Sequence, residues 1–152
     1  MTYLLDDAVK QPLEAFQSFD ADTQLALLWY GYLDIKEQLT PAPVNSTEEM
    51  GQTIFDHFAA LSKDDQLQAM RNLVNKSDTS ISRGYAALSP SSKLDVWLKL
   101  AQGMESGSIV GFPNDYELPS NTNEFTRMIK ELDFEQRINF TRNAVADMGF
   151  KA

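Results

Sequence analysis

Cysteine is absent from this 152-residue chain, which excludes disulfides, thiolate metal sites and a cysteine nucleophile. Histidine occurs once, as His57, so a His-x-x-x-His metal pair is excluded as well. Basic residues are scarce: 13 Lys and Arg stand against 22 Asp and Glu, a formal net charge of −9. A binder of phosphate backbones needs a basic stripe, so this balance argues against nucleic acid as a partner. Long apolar runs are missing too. The longest, Leu25 to Tyr30, falls far short of the roughly 20 residues that span a bilayer, so no membrane insertion is expected. The opening stretch, Met1 to Asp7, has neither the basic n-region nor the apolar h-region of a signal peptide. No Gly-rich phosphate loop and no Gly-x-Ser-x-Gly elbow occurs, and a lone His57 beside Phe58 reads as a helix residue at the edge of a buried face. Acidic pairs such as Glu48-Glu49 and Asp64-Asp65 fall in expected first helical turns, where they complement the helix dipole. What is left is a soluble, intracellular, single domain covering residues 1–152, and not an enzyme.

What is present is helical periodicity. Leu25, Leu28, Trp29, Tyr32 and Ile35 share one face of a 3.6-residue repeat, and Ile138, Thr141, Arg142, Val145 and Met148 repeat the spacing. Shorter stripes run through Ile54, Phe58 and Leu61, through Leu67, Met70 and Val74, and through Leu94, Trp97, Leu98 and Ala101. No segment alternates with period two, so the fold is all-α. Ser46 to Glu49 and Asp133 to Gln136 have the form of capping boxes. Pro12 and Pro90 suit first-turn positions, and Gly149 suits a left-handed C-terminal cap. The longer loops are expected over 38–45 and 106–119.

The same helix opening occurs four times. Phe19-Asp20, Leu61-Ser62, Leu88-Ser89 and Leu132-Asp133 each place an apolar residue before a capping residue. Phe19 and Leu88 are 69 positions apart, and Leu61 and Leu132 are 71 apart. Ile54, Phe58 and Leu61 pair with Phe125, Ile129 and Leu132 at the same shift of 71. These offsets suggest two similar halves related by a pseudo-two-fold axis; the alternative is that amphipathic helices of similar length align by chance. A seam between such halves is where bundle proteins place ligands.

Large polarisable side chains gather on the inward stripes: Trp29, Tyr32 and Trp97, with Met70, Met104 and Met148. Each alone reads as core, while together they suit an extended conjugated ligand. Arg71 and Arg142 stand where the periodicity calls for apolar residues. Each must snorkel, pair with an acid, or offer its guanidinium to a ligand's polar end or a partner's carboxylate.

Four stretches carry a resemblance: Asp22 to Tyr32 (DTQLALLWYGY), Asn75 to Thr79 (NKSDT), Tyr85 to Pro90, and Arg142 to Phe150 (RNAVADMGF). They resemble the N-terminal domain of the orange carotenoid protein, over about Leu5 to Phe150. With no sequence following to supply that family's C-terminal domain, the chain looks like a free-standing helical carotenoid protein of cyanobacteria. The resemblance implies two interleaved four-helix bundles with one ketocarotenoid, of canthaxanthin, echinenone or 3′-hydroxyechinenone type, threaded between them. By position it implies lining by Leu25, Leu28, Trp29 and Tyr32, then by Leu67, Met70 and Arg71. Leu94, Trp97, Leu98, Ala101 and Met104 follow, and Phe112, Tyr116, Ile138, Asn139, Arg142 and Val145 complete the set. Arg142 matches the family arginine that contacts the other domain and takes part in phycobilisome attachment. Two departures stand out: Arg71 replaces a small thiol, and Leu98 replaces an aromatic.

The implied function is photoprotection by one bound carotenoid, quenching singlet oxygen or carrying pigment, without a light-driven switch. Direct quenching of phycobilisome excitation is the alternative. Arg142 favours docking there and the charge of −9 opposes it, unless Lys93, Lys99, Arg127 and Arg137 form a local basic face. A pigment-free helical interaction module is the alternative of another class. The implied setting is the cytoplasm, including the thylakoid surface where phycobilisomes sit, with a separate C-terminal-domain homologue as carotenoid donor and a monomer or weak dimer as the assembly.

Overall fold

The computed structural model describes residues 7–38, 49–112 and 116–150. Among these residues there is no strand, and eight α-helices account for the fold. In chain order they are α1 (Asp7–Ser18), α2 (Ala21–Ile35), α3 (Glu49–Ala60), α4 (Lys63–Val74), α5 (Ser80–Ala86), α6 (Pro90–Ser106), α7 (Asn123–Lys130) and α8 (Phe134–Ala146).

All four repeated openings are real caps. Asp20, Ser62, Ser89 and Asp133 start α2, α4, α6 and α8 in extended backbone, and each side chain accepts from the N–H three residues on. At α8 the box is complete, because the Asp133 N–H also donates to Gln136 Oε1 at 3.0 Å. Four residues past the cap, the openings carry a polar side chain that their apolar patterning does not reveal. Gln24 and Gln66 donate back to the carbonyls of Phe19 and Leu61, at 2.9 and 3.3 Å. Arg137 does the same to Leu132 at 3.1 Å. Each thereby occupies a carbonyl just outside the helix that burial would otherwise leave unpaired. In α6 the equivalent residue, Lys93, reaches elsewhere, to the Ala146 carbonyl at the end of α8, 2.9 Å away.

Pro90 occupies the first turn of α6, as its missing N–H allows. Pro12 differs from expectation: it lies in the interior of α1 rather than in its first turn. The helix begins at Asp7, so burial of the α1 face outweighs the backbone hydrogen bond that proline removes. The 46–49 capping box and most of the 38–45 loop lie outside the described residues. Gly149 has φ +92°, but it does not cap α8 directly. Its N–H crosses to the Leu73 carbonyl at the end of α4, 2.9 Å away, and the Phe150 N–H reaches Ser82 Oγ at 2.8 Å. A Cβ at residue 149 would lie 2.8 Å from the Tyr85 ring, so only glycine allows this approach.

Helix neighbours cross between the halves. α1 packs on α7 and α8, whereas α5 packs on α3 and α4. The first exchange is welded by rings: Phe16 meets Phe140 edge-on at 5.5 Å, and Phe125 lies 6.1 Å from Phe16 and 5.6 Å from Phe140. Between the exchanged groups α2 and α6 face each other, with a cavity along that pair.

Candidate functional site

The face of α2 that carries Leu28, Trp29 and Tyr32 is only half-buried, although its periodicity marks it as a core stripe. The reason is that it borders a cavity rather than a neighbouring helix. This cavity has a volume of about 310 Å³. Leu25, Leu28, Trp29 and Tyr32 of α2 form one wall, and Leu94, Trp97, Leu98, Ala101 and Met104 of α6 form another. Phe125 and Ile129 of α7, with Phe134, Arg137, Ile138, Phe140 and Thr141 of α8, close it. A second cavity of about 210 Å³ is lined by Asp22, Leu25, Leu67, Met70, Arg71 and Met104. The loop after α6 completes it with Val110, Gly111, Phe112 and Tyr116. Leu25 and Met104 line both cavities, so the two abut across these side chains.

The aromatic walls are held in place by hydrogen bonds made within the chain. Trp97 donates its indole N–H to the Tyr85 hydroxyl at 3.0 Å, and Tyr85 donates to the Val145 carbonyl at 2.5 Å. Tyr85 is fully buried, with the Lys93 ammonium 5.5 Å over its ring. Burial pushes its hydroxyl far above the ordinary tyrosine range, so it keeps its proton. Trp29 stacks on Tyr32 with centroids 6.0 Å apart. Tyr32 donates to Glu105 Oε1 at 2.6 Å, and Lys36 bridges the other oxygen at 2.8 Å. Burial first, then this contact with Glu105, raises Tyr32 to about 12. Glu105 is lowered in turn, chiefly by the Lys36 hydrogen bond and then by that of Tyr32. At the second cavity Tyr30 donates to the Tyr116 carbonyl at 3.2 Å, and Phe112 lies 5.2 Å from the Tyr116 ring.

Three residues expected at the crevice do not line it: α8 meets the cavity between Phe134 and Thr141, which leaves Arg142 and Val145 beyond the contact and Asn139 within that stretch but not among its lining residues. Asn139 faces away and accepts twice from the Asn143 amide, at 2.8 Å each. Val145 is fully buried, a turn beyond the cavity's edge. Arg142 is half-buried, and its Nε has no hydrogen-bond partner. Conversely, Phe125, Ile129 and Phe134 line the cavity although they read as packing and capping residues. The repeated stripe of Phe125 and Ile129 was the available signal, but periodicity does not distinguish a face on a void from a face on a helix. Arg71 forms a two-point ion pair with Asp22, at 2.6 and 3.2 Å. Of the four basic residues named for a local docking face, Lys93 is buried, Lys99 and Arg137 are half-buried, and Arg127 is exposed. No group of three or more metal-ligating side chains occurs among the described residues. Nor is any described helix long and apolar enough to cross a membrane.

The sequence profile described as "Orange carotenoid protein, N-terminal" matches residues 2–151. The chain belongs to this family. An orange carotenoid-binding domain-containing protein of Nostoc sp. PCC 7120 is 36% identical over 144 residues, covering 94% of this chain and 84% of that protein. The orange carotenoid-binding protein of Synechocystis sp. PCC 6803 is 37% identical over 98% of this chain, which spans only 47% of that longer protein. Among solved structures, the Anabaena (Nostoc) sp. PCC 7120 orange carotenoid protein binding canthaxanthin superposes with a TM-score of 0.90 at 35% identity, over 98% of this chain and 48% of its own. The red carotenoid protein of the same organism, also binding canthaxanthin, gives 0.82 at 35% identity over 94% of this chain and 99% of its own. The all-helical architecture therefore matches that of the orange carotenoid protein N-terminal domain.

Proposed function

We propose that the crevice between α2 and α6 binds one ketocarotenoid and that the chain serves in photoprotection, as a singlet-oxygen quencher or a carotenoid carrier. The observation that carries this reading is the pair of abutting cavities, apolar for most of their length and walled by Trp29, Tyr32 and Trp97. Its residues fit a long, flat, mostly hydrocarbon ligand: burial along Leu, Met and aromatic walls is favourable at roughly 25 cal/mol per Å². When bound, the conjugated chain of such a pigment accepts excitation energy and releases it as heat. The protein's own part is to hold the ligand, exclude water and set the environment of its ends. Trp97 is fixed through Tyr85, and Tyr32 through Glu105, so both flat walls are preorganised. Because both ties are made inside this chain, they support one fixed setting for the pigment rather than a light-driven switch. Canthaxanthin binding by two structures at 35% identity supports the ketocarotenoid class.

Docking on the phycobilisome is the second reading, favoured by the match of the half-buried Arg142 to the family arginine that takes part in that attachment. The burial of Lys93 and the charge of −9 weigh against it.

The test is the visible absorption spectrum of the protein purified from a ketocarotenoid-producing bacterial host. A red, vibronically smeared band co-eluting with protein is expected. It should weaken on Trp29→Ala and vanish on Met104→Trp, which blocks the junction of the two cavities. A folded, helical and colourless wild-type protein would refute the carotenoid reading and favour a pigment-free interaction module.

A further inference from the structure

The smaller cavity differs from the larger one in its polar groups. Most of its wall is Leu25, Leu67, Met70, Met104, Val110 and Phe112, yet Asp22, Arg71 and Tyr116 also border it. A guanidinium carries five N–H donors. Arg71 gives one from Nε and one from Nη2 to Asp22, which leaves the others without a partner among the described residues. The Tyr116 hydroxyl is likewise without a hydrogen-bond partner there, since Tyr30 takes only its backbone carbonyl.

We infer that this cavity recognises a neutral carbonyl oxygen at one end of the ligand, with Arg71 as the principal donor and Tyr116 as the second. The inference deepens the carotenoid reading above and rests on it.

Charge decides against an acidic ligand end. Asp22 already neutralises Arg71 through a two-point pair, so a carboxylate would arrive without a free positive charge to meet it. Tyr116 is raised first by burial, then by the neighbouring phenol of Tyr30 and by the carboxylates of Asp22 and Asp20. Its proton is therefore retained as a donor, and the carboxylates of Asp22 and Asp20 disfavour an anion beside it. A hydrocarbon end is disfavoured for a different reason. It would displace water from both donors and supply no acceptor, leaving polar groups desolvated and unpaired. A carbonyl oxygen satisfies them without adding charge. Asp22 has a second effect: holding Nε and Nη2, it fixes the plane of the guanidinium, so the remaining donors are preoriented. Arg71 is thus the residue that sets ligand specificity, and Asp22 is a positioning residue acting through it.

The experiment is a competition in one bacterial host that makes β-carotene and canthaxanthin together. The purified protein is extracted, and its pigment ratio is compared with that of the host membranes. One unmade hydrogen bond to a charged donor corresponds to roughly tenfold, so wild type should enrich the diketo pigment about tenfold. Arg71→Met and Tyr116→Phe should each lower that enrichment and shift the carbonyl stretch in resonance Raman spectra toward its unbonded frequency. Tyr116→Phe keeps the ring contacts with Tyr30 and Phe112, so it decides the matter should Arg71→Met fail to fold. Trp29→Ala should lose both pigments in proportion and leave the ratio unchanged. The inference is overturned if wild type takes pigments in the host's ratio, or if both variants keep the enrichment. A folded wild type that takes neither pigment overturns the carotenoid reading itself, and this inference with it.

Discussion

Tyr85 offers a sharp test, because removing one oxygen atom separates its hydrogen bonds from its packing. In Tyr85→Phe the ring stays in place beneath the Lys93 ammonium, and the cavity wall keeps its shape. The Val145 carbonyl loses the tyrosine donor but still accepts from the Asp147 N–H at the end of α8. The indole N–H of Trp97 has no such substitute, and Trp97 is only 7% exposed. Leaving a buried donor unpaired costs about 2 kcal/mol. For a chain of this size that corresponds to a fall in Tm of roughly 4–8 °C, read by far-ultraviolet circular dichroism on pigment-free protein. The same substitution in a Trp97→Phe background should cost much less, since the orphaned donor is already gone. Equal Tm values for wild type and Tyr85→Phe would refute the reasoning, and so would an equal cost in the two backgrounds.

Two further outcomes are expected. Gly149→Ala should destabilise by roughly 2 kcal/mol or more in urea unfolding, combining strain at φ +92° with a Cβ placed 2.8 Å from the Tyr85 ring. Gly107→Ala, at φ +90° with nothing within 4 Å, should cost only about 1 kcal/mol. Tyr32 ionises near 12 in the folded protein against 10.0 unperturbed. Its contribution to stability is therefore complete below pH 10.0 and is lost as the pH rises toward about 12, where the unfolded chain releases the proton first. In an ultraviolet phenol titration, Glu105→Gln should bring Tyr32 part of the way back; burial, the larger cause, keeps it from returning fully.

Much of the fold is legible because its signals are local. Asp20, Ser62, Ser89 and Asp133 cap their helices through a hydrogen bond three residues on, a geometry that depends on little beyond the segment itself. Pro12 is the instructive exception, since a proline's preference for the first turn yields to the burial of the helix that contains it. Of the candidate site residues, those on the α2 and α6 stripes line the crevice, along with Leu67, Met70, Arg71, Phe112 and Tyr116. Arg142 and Val145 do not, because helical phase is readable from spacing while the stretch of a helix that meets a cavity is not; Asn139 does not either, although its neighbours Ile138 and Phe140 do.

Composition, spacing and caps by themselves determined an acidic, cysteine-free, all-helical chain with repeated openings and aromatic stripes. Each of these properties is set within a few turns of backbone. Only the tertiary structure decided that α1 and α5 cross to the other half, that Trp97 is anchored by Tyr85, and that Arg71 meets Asp22. Tyr85 and Val145 are 60 positions apart and Arg71 and Asp22 are 49, so nothing in either neighbourhood specifies the other. Such contacts form when apolar faces bury against one another, and the place where those faces fail to close is the crevice.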